Sequence, residues 1–417
     1  MKQLSTFILG LLFAGNCIAQ TDSLTAYVET AMKNNPTVQQ KWSEYKASVE
    51  KLPQVASLPD PELNMGFFLK PMALIGGNQV AELQLMQQFP WFGVLQHAKD
   101  EMSLMAKALY ASLESTKLDV AYEIRSSWYE LYRNRQQAAV LGKNLDLLQQ
   151  VKRLATTVYQ SGTGNNSTAE SGGGLSAIYS IQLEEKSLIN QQASLDDAYG
   201  YLAFRFNTLL NRPDSTSIVL PASDVVDPLQ LPSDSALNRN PLLTMLEFEK
   251  ESLEARKKMG ERMGYPMVGV GLKYSVLSKN ASSTAMMNGQ DMLMPMVSVS
   301  LPINRKKYKA SVQETVWQQS ATAHNYEATR NSLQADFKEA LFHYRDALRQ
   351  IQLAESQQQL ISKMHQLQLS RFAASTGSLE ELLRISRQLL DYSLQLKNAR
   401  IDLLIAQAKI RQLAAIY

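Results

Sequence analysis

Five of the chain's 17 methionines crowd into one stretch: Met286, Met287, Met292, Met294 and Met296. Thioethers are soft ligands that suit Cu(I) or Ag(I). They are also flexible apolar fillers, which is the plainer reading. Met292, Met294 and Met296 alternate and share parity with Ser298 and Ser300. On a strand they fall on the polar face, and they are the candidate metal contacts. Other chemistry is sparse. His97, His324, His343 and His365 are scattered without ligand spacing and read as helix-surface residues. There is no Gly-rich phosphate loop, no HExxH helix and no GxSxG elbow. The sequence therefore points to no catalytic residue and no cofactor, and away from an enzyme. With a net charge of +3 and 19% charged residues, it carries no nucleic-acid footprint.

The methionines belong to one of four alternating segments. In the first, Leu63, Met65, Phe67 and Leu69 oppose Asn64, Gly66, Phe68 and Lys70. In the second, Ala81, Leu83, Leu85 and Phe89 oppose Glu82, Gln84, Met86 and Gln88. The third sets Val268, Val270, Leu272, Tyr274 and Val276 against Met267, Gly269, Gly271, Lys273 and Ser275. The fourth sets Val297, Val299 and Leu301 against Met296, Ser298 and Ser300. Period two with one apolar face means strands with one face in water. At roughly 8–12 residues they match the length that crosses a bilayer at a tilt. Four strands cannot enclose a channel, since the smallest outer-membrane barrels have about eight. Several copies must share one barrel, and three would supply twelve strands. A soluble sheet packed on helices is the alternative.

The rest of the chain is helical and written twice. Asn34-Asn35-Pro36 recurs as Arg239-Asn240-Pro241. Each is followed by an amphipathic stretch, two alternating segments, a proline (Pro90 or Pro302), a very long helix, a Gly/Ser-rich turn and a shorter helix. The long helices, Trp91 to Tyr159 and Arg305 to Phe372, hold roughly 70 residues each, or about 100 Å at 1.5 Å per residue. That length belongs to a coiled coil or a helical tube. Shorter helices are expected over Leu24–Ser57, Leu175–Asn211, Ala236–Met263 and Leu379–Ile416. In the last, Leu382, Leu389, Leu396, Leu403 and Ile410 are seven apart, and Ile385, Tyr392, Ala399, Ala406 and Leu413 follow three later. This is a coiled-coil seam.

The N-terminus reads as a secretory signal: Lys2, an apolar core from Phe7 to Ala14, and a small residue at Ala19. Cys17 is the only cysteine, so a disulfide framework is excluded; it is also a candidate for lipidation. The expected organisation is a signal peptide over 1–19, a first repeat over 20–211, a linker over 212–233 and a second repeat over 234–417.

Together these residues resemble the TolC-like outer-membrane efflux proteins. The resemblance rests on the Asn-Asn-Pro start, the duplicated plan, the exit Phe89-Pro90-Trp91-Phe92-Gly93 and its counterpart Leu301-Pro302-Ile303-Asn304. Leu58-Pro59-Asp60-Pro61-Glu62-Leu63 looks like the heavy-metal, CzcC/CusC-type branch. The resemblance implies a mainly α fold with a small β part. A long α-helical barrel would carry four transmembrane β-strands per protomer, which contribute to a shared trimeric twelve-stranded β-barrel. It implies a homotrimer in the outer membrane, in contact with outer-membrane lipid and extending into the periplasm. It also implies a periplasmic adaptor (membrane fusion) protein and an inner-membrane RND-type pump as partners. The duct would be passive and would export heavy-metal cations. Glu381 falls where the family often has an acidic residue at the periplasmic aperture. A ring of such carboxylates favours cations; a Glu in a helix's first turn also simply suits the helix dipole. The first tip departs from the pattern, with a Gly/Ser-rich insertion over 162–174. Two alternatives remain: a drug-efflux or type I secretion duct of the same fold, and a periplasmic coiled-coil scaffold outside the membrane.

Overall fold

A computed structural model describes residues 23–160, 173–221, 225, 229–232, 234–374 and 376–416. The expected signal peptide, Cys17 and nearly all of the 162–174 insertion lie outside these residues. The chain runs α1 (Ser23–Asn34), α2 (Pro36–Ala56), β1 (Glu62–Leu74), β2 (Gly77–Phe89), α3 (Val94–Gln160) and α4 (Gly173–Leu209). After a connecting stretch and a 3-10 turn over Asp234–Arg239 it repeats the plan. The second copy holds α5 (Pro241–Arg262), β3 (Met267–Ser278), β4 (Met292–Ser300), α6 (Arg305–Ala373) and α7 (Leu379–Leu413). The two long helices have 67 and 69 residues.

The helix expected over Leu24–Ser57 is in fact two helices that meet at Asn35. Pro36 has no N–H, and its ring disfavours helical geometry in the residue before it. Asn35 takes that non-helical position and caps α2: Thr37 N–H donates to its Oδ1 at 2.9 Å. Its amide also donates to Leu209 O at 2.9 Å, at the end of α4. The second copy repeats the device. Asn240 precedes Pro241 and donates to Leu413 O at 3.0 Å, at the end of α7. Both asparagines are buried. The helices they clamp end alike, in left-handed residues: Asn211 at φ 50° and Ala415 at φ 55°. Arg212 N–H reaches back to Asn207 O and Ile416 N–H to Arg411 O, the six-to-one bond of a Schellman end.

The described chain divides into two compact units. One takes residues from 1–39, 116–240 and 333–417 and is helical; the other takes 40–115 and 241–332 and holds the sheet. Each repeat contributes to both units. In the helical unit, α7 is buried over a broader stripe than a two-position seam. Leu382, Ile385, Leu396, Ala399, Ala406, Ile410 and Leu413 are buried as the heptad requires. Leu389, Tyr392 and Leu403 are only half-buried, while Leu390, Ile401 and Leu404 are buried as well. A helix covered on more than one side shows this wider face.

The sheet order is β1-β2-β3-β4, antiparallel throughout. β1 and β2 join through Ile75-Gly76. Gly77 follows at φ 133°, and a Cβ there would lie 2.6 Å from Ser278 O, so only glycine fits. The longer β3–β4 connection folds back on this turn. Gly289 N–H donates to Gly76 O at 2.9 Å and Ser283 Oγ to Ile75 O at 2.6 Å.

Candidate functional site: a two-faced sheet and a helical tip

Cross-strand register fixes which side chains share a face. Met292 lies opposite Ser275, Met294 opposite Lys273 and Met296 opposite Gly271. On the next pair, Glu82 lies opposite Ser275, Gln84 opposite Lys273 and Met86 opposite Gly271. All three candidate methionines thus share the polar face with Glu82, Gln84 and Lys273. Lys273 Nζ is 2.5 Å from Glu82, so this pair is charge-balanced. Met86 belongs to the same face, where its parity with Gln84 and Gln88 already set it. Buried, it lies over Gly269 and Gly271; a Cβ on Gly271 would come 2.9 Å from its methyl. Ser298 Oγ donates to its sulfur at 3.6 Å. Its role here is packing. Among the described residues no group of three His, Cys, Asp or Glu side chains could hold a metal.

The opposite face carries Leu63, Met65, Phe67, Leu85, Val270, Leu272, Val297 and Val299, and all are exposed. A soluble sheet packed on helices would bury such a row; this one does not. Both edges, β1 and β4, are open. No described helix is long and apolar enough to cross a membrane.

Each strand pair leads to a helix start through an aromatic or apolar exit. At the first, Trp91 stacks on Tyr265 with ring centres 5.4 Å apart. Gly93, at φ 91°, turns the chain into α3. At the second, Leu301-Pro302-Ile303 leads into Arg305.

At the far ends of the long helices, α3, α4, α6 and α7 share a core of Leu148, Val151, Ile181, Phe372, Leu382 and Leu383 among others. The α6–α7 turn is held tight. Thr376 N–H donates to Arg371 O at 2.9 Å, and a Cβ on Gly377 would lie 2.8 Å from Phe372 N. Glu381 stands in the first turn of α7 and is not a lone carboxylate. Arg384 grips it with two bonds, 2.6 and 3.0 Å. That guanidinium holds the Glu381 carboxyl below the usual carboxylate range. Beside it Arg387 pairs with Glu184 of α4 at 2.7 Å, and Lys152 pairs with Glu185 at 2.8 Å. Sequence reading missed the Arg384 pairing, although an i, i+3 acid–base spacing is a recognisable signal for it.

One histidine departs from expectation. His365 is 5% exposed, and burial lowers its pKa. It sits on the covered side of α6, whereas His324 and His343 are exposed.

The family model described as "Outer membrane efflux protein" matches residues 233–415, most of the second repeat. No curated protein matches the sequence. Solved structures match the fold along nearly the whole chain. CusC superposes at a TM-score of 0.77 with 14% identity, covering 94% of this chain and 92% of its own. The outer membrane protein VceC from Vibrio cholerae gives 0.75 at 13% identity, with 94% and 96% covered. The Neisseria gonorrhoeae MtrE outer membrane channel gives 0.71 at 14% identity, with 94% and 89% covered. The chain has the fold of these outer-membrane channels.

Proposed function

We propose that this chain is a TolC-type outer-membrane efflux protein: a passive export duct, with no catalytic role of its own. The observation that carries this reading is the sheet. It has one exposed apolar face, one polar face and two open edges. In lipid every backbone N–H and C=O must find a partner, so both edges must be paired. Four strands cannot curl around a pore. Pairing β4 of one copy with β1 of the next closes the ring, and three copies give a shared twelve-stranded barrel. The long helices then extend into the periplasm, where an adaptor and an inner-membrane pump would complete the path and supply the energy.

The purified full-length protein is expected to be a trimer in mild detergent, with three times the protein mass of one chain. Light scattering with separate accounting for bound detergent measures this. A homogeneous single-chain particle that still conducts ions in a planar bilayer would sink the proposal.

For the cargo, small organic solutes fit better than metal cations. CusC superposes scarcely better than VceC, and at the same level of identity. The candidate acid at the tip is neutralised by Arg384. A soft-metal contact at Met292, Met294 and Met296 is the second reading, favoured only by their shared face. Replacing all three by Leu keeps bulk and apolarity but removes sulfur, at small structural cost. Under the organic-cargo reading, copper and silver tolerance of cells carrying the triple variant stays at the wild-type level. A selective loss of tolerance, with zinc tolerance unchanged and membrane levels matched, would restore the metal reading.

A further inference from the structure

Four cations stand within five residues at the second exit: Arg305, Lys306, Lys307 and Lys309. The balanced total charge of the chain conceals them. All four are exposed. No described acid forms an ion pair with any of them, and Lys307 Nζ lies 5.9 Å from the Tyr308 ring. The equivalent exit of the first repeat, Trp91 to Ala98, has no Lys or Arg. The repeats share their plan here but differ in charge.

The cations border a cavity. A crevice of about 950 Å³ opens between the end of α5 and the start of α6. Arg305 and Lys309 line it, with Leu301, Ile303, Tyr308 and Val312 as its apolar walls. Glu261 is its one acidic residue. The two helices meet here at ordinary contact distance: a Cβ on Gly260 would lie 3.5 Å from Val312 Cγ2. Leu301 and Ile303 follow directly on β4, which ends at Ser300, so the crevice lies where the strand stops. Both are strongly exposed, at 64% and 88%. The crevice therefore joins an exposed apolar slot at the end of β4 to a cluster of unpaired cations.

We infer that this crevice binds an anionic phospholipid, with an acyl chain against Leu301, Ile303 and Val312 and the phosphate on Arg305 and Lys309. Lys306 and Lys307 extend the field to neighbouring headgroups. A cationic cluster at the end of a membrane segment attracts anionic lipid in this way, and long basic side chains rest their stems on apolar surface while their heads stay in water. The inference depends on the channel reading, because the strands must lie in a bilayer.

The test uses the full-length protein in nanodiscs of equal phosphatidylglycerol and phosphatidylcholine, with retained lipids counted by native mass spectrometry. Wild type is expected to retain phosphatidylglycerol about fivefold over phosphatidylcholine, the size expected when a few basic side chains meet an anionic headgroup. Arg305→Gln, Lys306→Gln, Lys307→Gln and Lys309→Gln together should bring the ratio near one. Lys306→Arg, Lys307→Arg and Lys309→Arg together should preserve it. If the fourfold variant does not fold, Arg305→Gln with Lys309→Gln should still halve the preference. Inorganic phosphate at the same concentration as the lipid should not compete, since it has no acyl chain. Insertion without lipid preference, preference that survives both Gln variants, or displacement by inorganic phosphate overturns the site and leaves the channel reading intact. Failure to insert into any bilayer overturns the channel reading itself.

Discussion

Asn240→Asp is expected to destabilise the protein by about 3 kcal/mol, near the upper end for an orphaned buried polar group. The side chain is 4% exposed and its amide donates to Leu413 O at 3.0 Å. Aspartate has nearly the same shape, so volume is conserved. What changes is the donor. An oxygen now faces the Leu413 carbonyl, and a buried carboxylate must either bear its charge unpaired or take up a proton. Asn240→Ala removes the clamp without adding charge and should cost less. Asn35→Asp breaks the equivalent bond to Leu209 O and should resemble Asn240→Asp. The sites belong to separate helix ends, so the double substitution should be close to additive. Thermal unfolding of the detergent-solubilised protein at fixed scan rate measures the ranking. An Asn240→Asp protein that melts with the wild type would show that the clamp bond contributes nothing.

The duplicated asparagine illustrates what the sequence could and could not carry. Its recurrence before proline was legible. Its job was not, because Leu209 and Leu413 lie more than 170 positions away and nothing local announces the contact. The strands were legible from parity alone, and where pairing is regular the register keeps the assigned faces. Their true length was less so: β1 runs on to Leu74 through Pro71, where the pairing with β2 shifts register between Phe67 and Met72. A bulge breaks the alternation on which the reading relied. Heptad spacing found the covered side of α7 but understated its width, since a seam pattern counts one neighbour and this helix has several. His365 was misplaced for a related reason: an isolated polar residue on a long helix carries no mark of which side is covered. At the tip, the sequence singled out Glu381 but not its partner Arg384, and the partner changes the chemistry.

That change sets the second large effect. In the proposed trimer, three Glu381 carboxylates meet three Arg384 guanidinium groups, and the tip is close to neutral. Wild-type channels are therefore expected to discriminate weakly between potassium and chloride. Glu381→Gln leaves three unpaired guanidinium groups and should turn the channel toward anions. Arg384→Gln leaves three carboxylates and should turn it toward cations. The double variant should return to wild-type behaviour, which separates a charge effect from a distorted tip. A bare charge 4 Å from a permeating ion in water is worth about 1 kcal/mol, so each single variant should change the permeability ratio by about fivefold. The change should hold at 0.01 M salt, where the screening length is about 30 Å, and collapse at 1 M, where it is about 3 Å. Acid supplies an independent check. Arg384 lowers the Glu381 pKa, so the balanced pair persists as pH falls through the ordinary Glu range near about 4.3. Balance is lost only below that range, when Glu381 takes up a proton and Arg384 is left alone. In Arg384→Gln the carboxyl loses its partner, and its titration should move back up to the ordinary range. Planar-bilayer reversal potentials across a salt gradient read all of these. Both single variants keeping the wild-type reversal potential at low salt would remove Glu381 and Arg384 from the ion path.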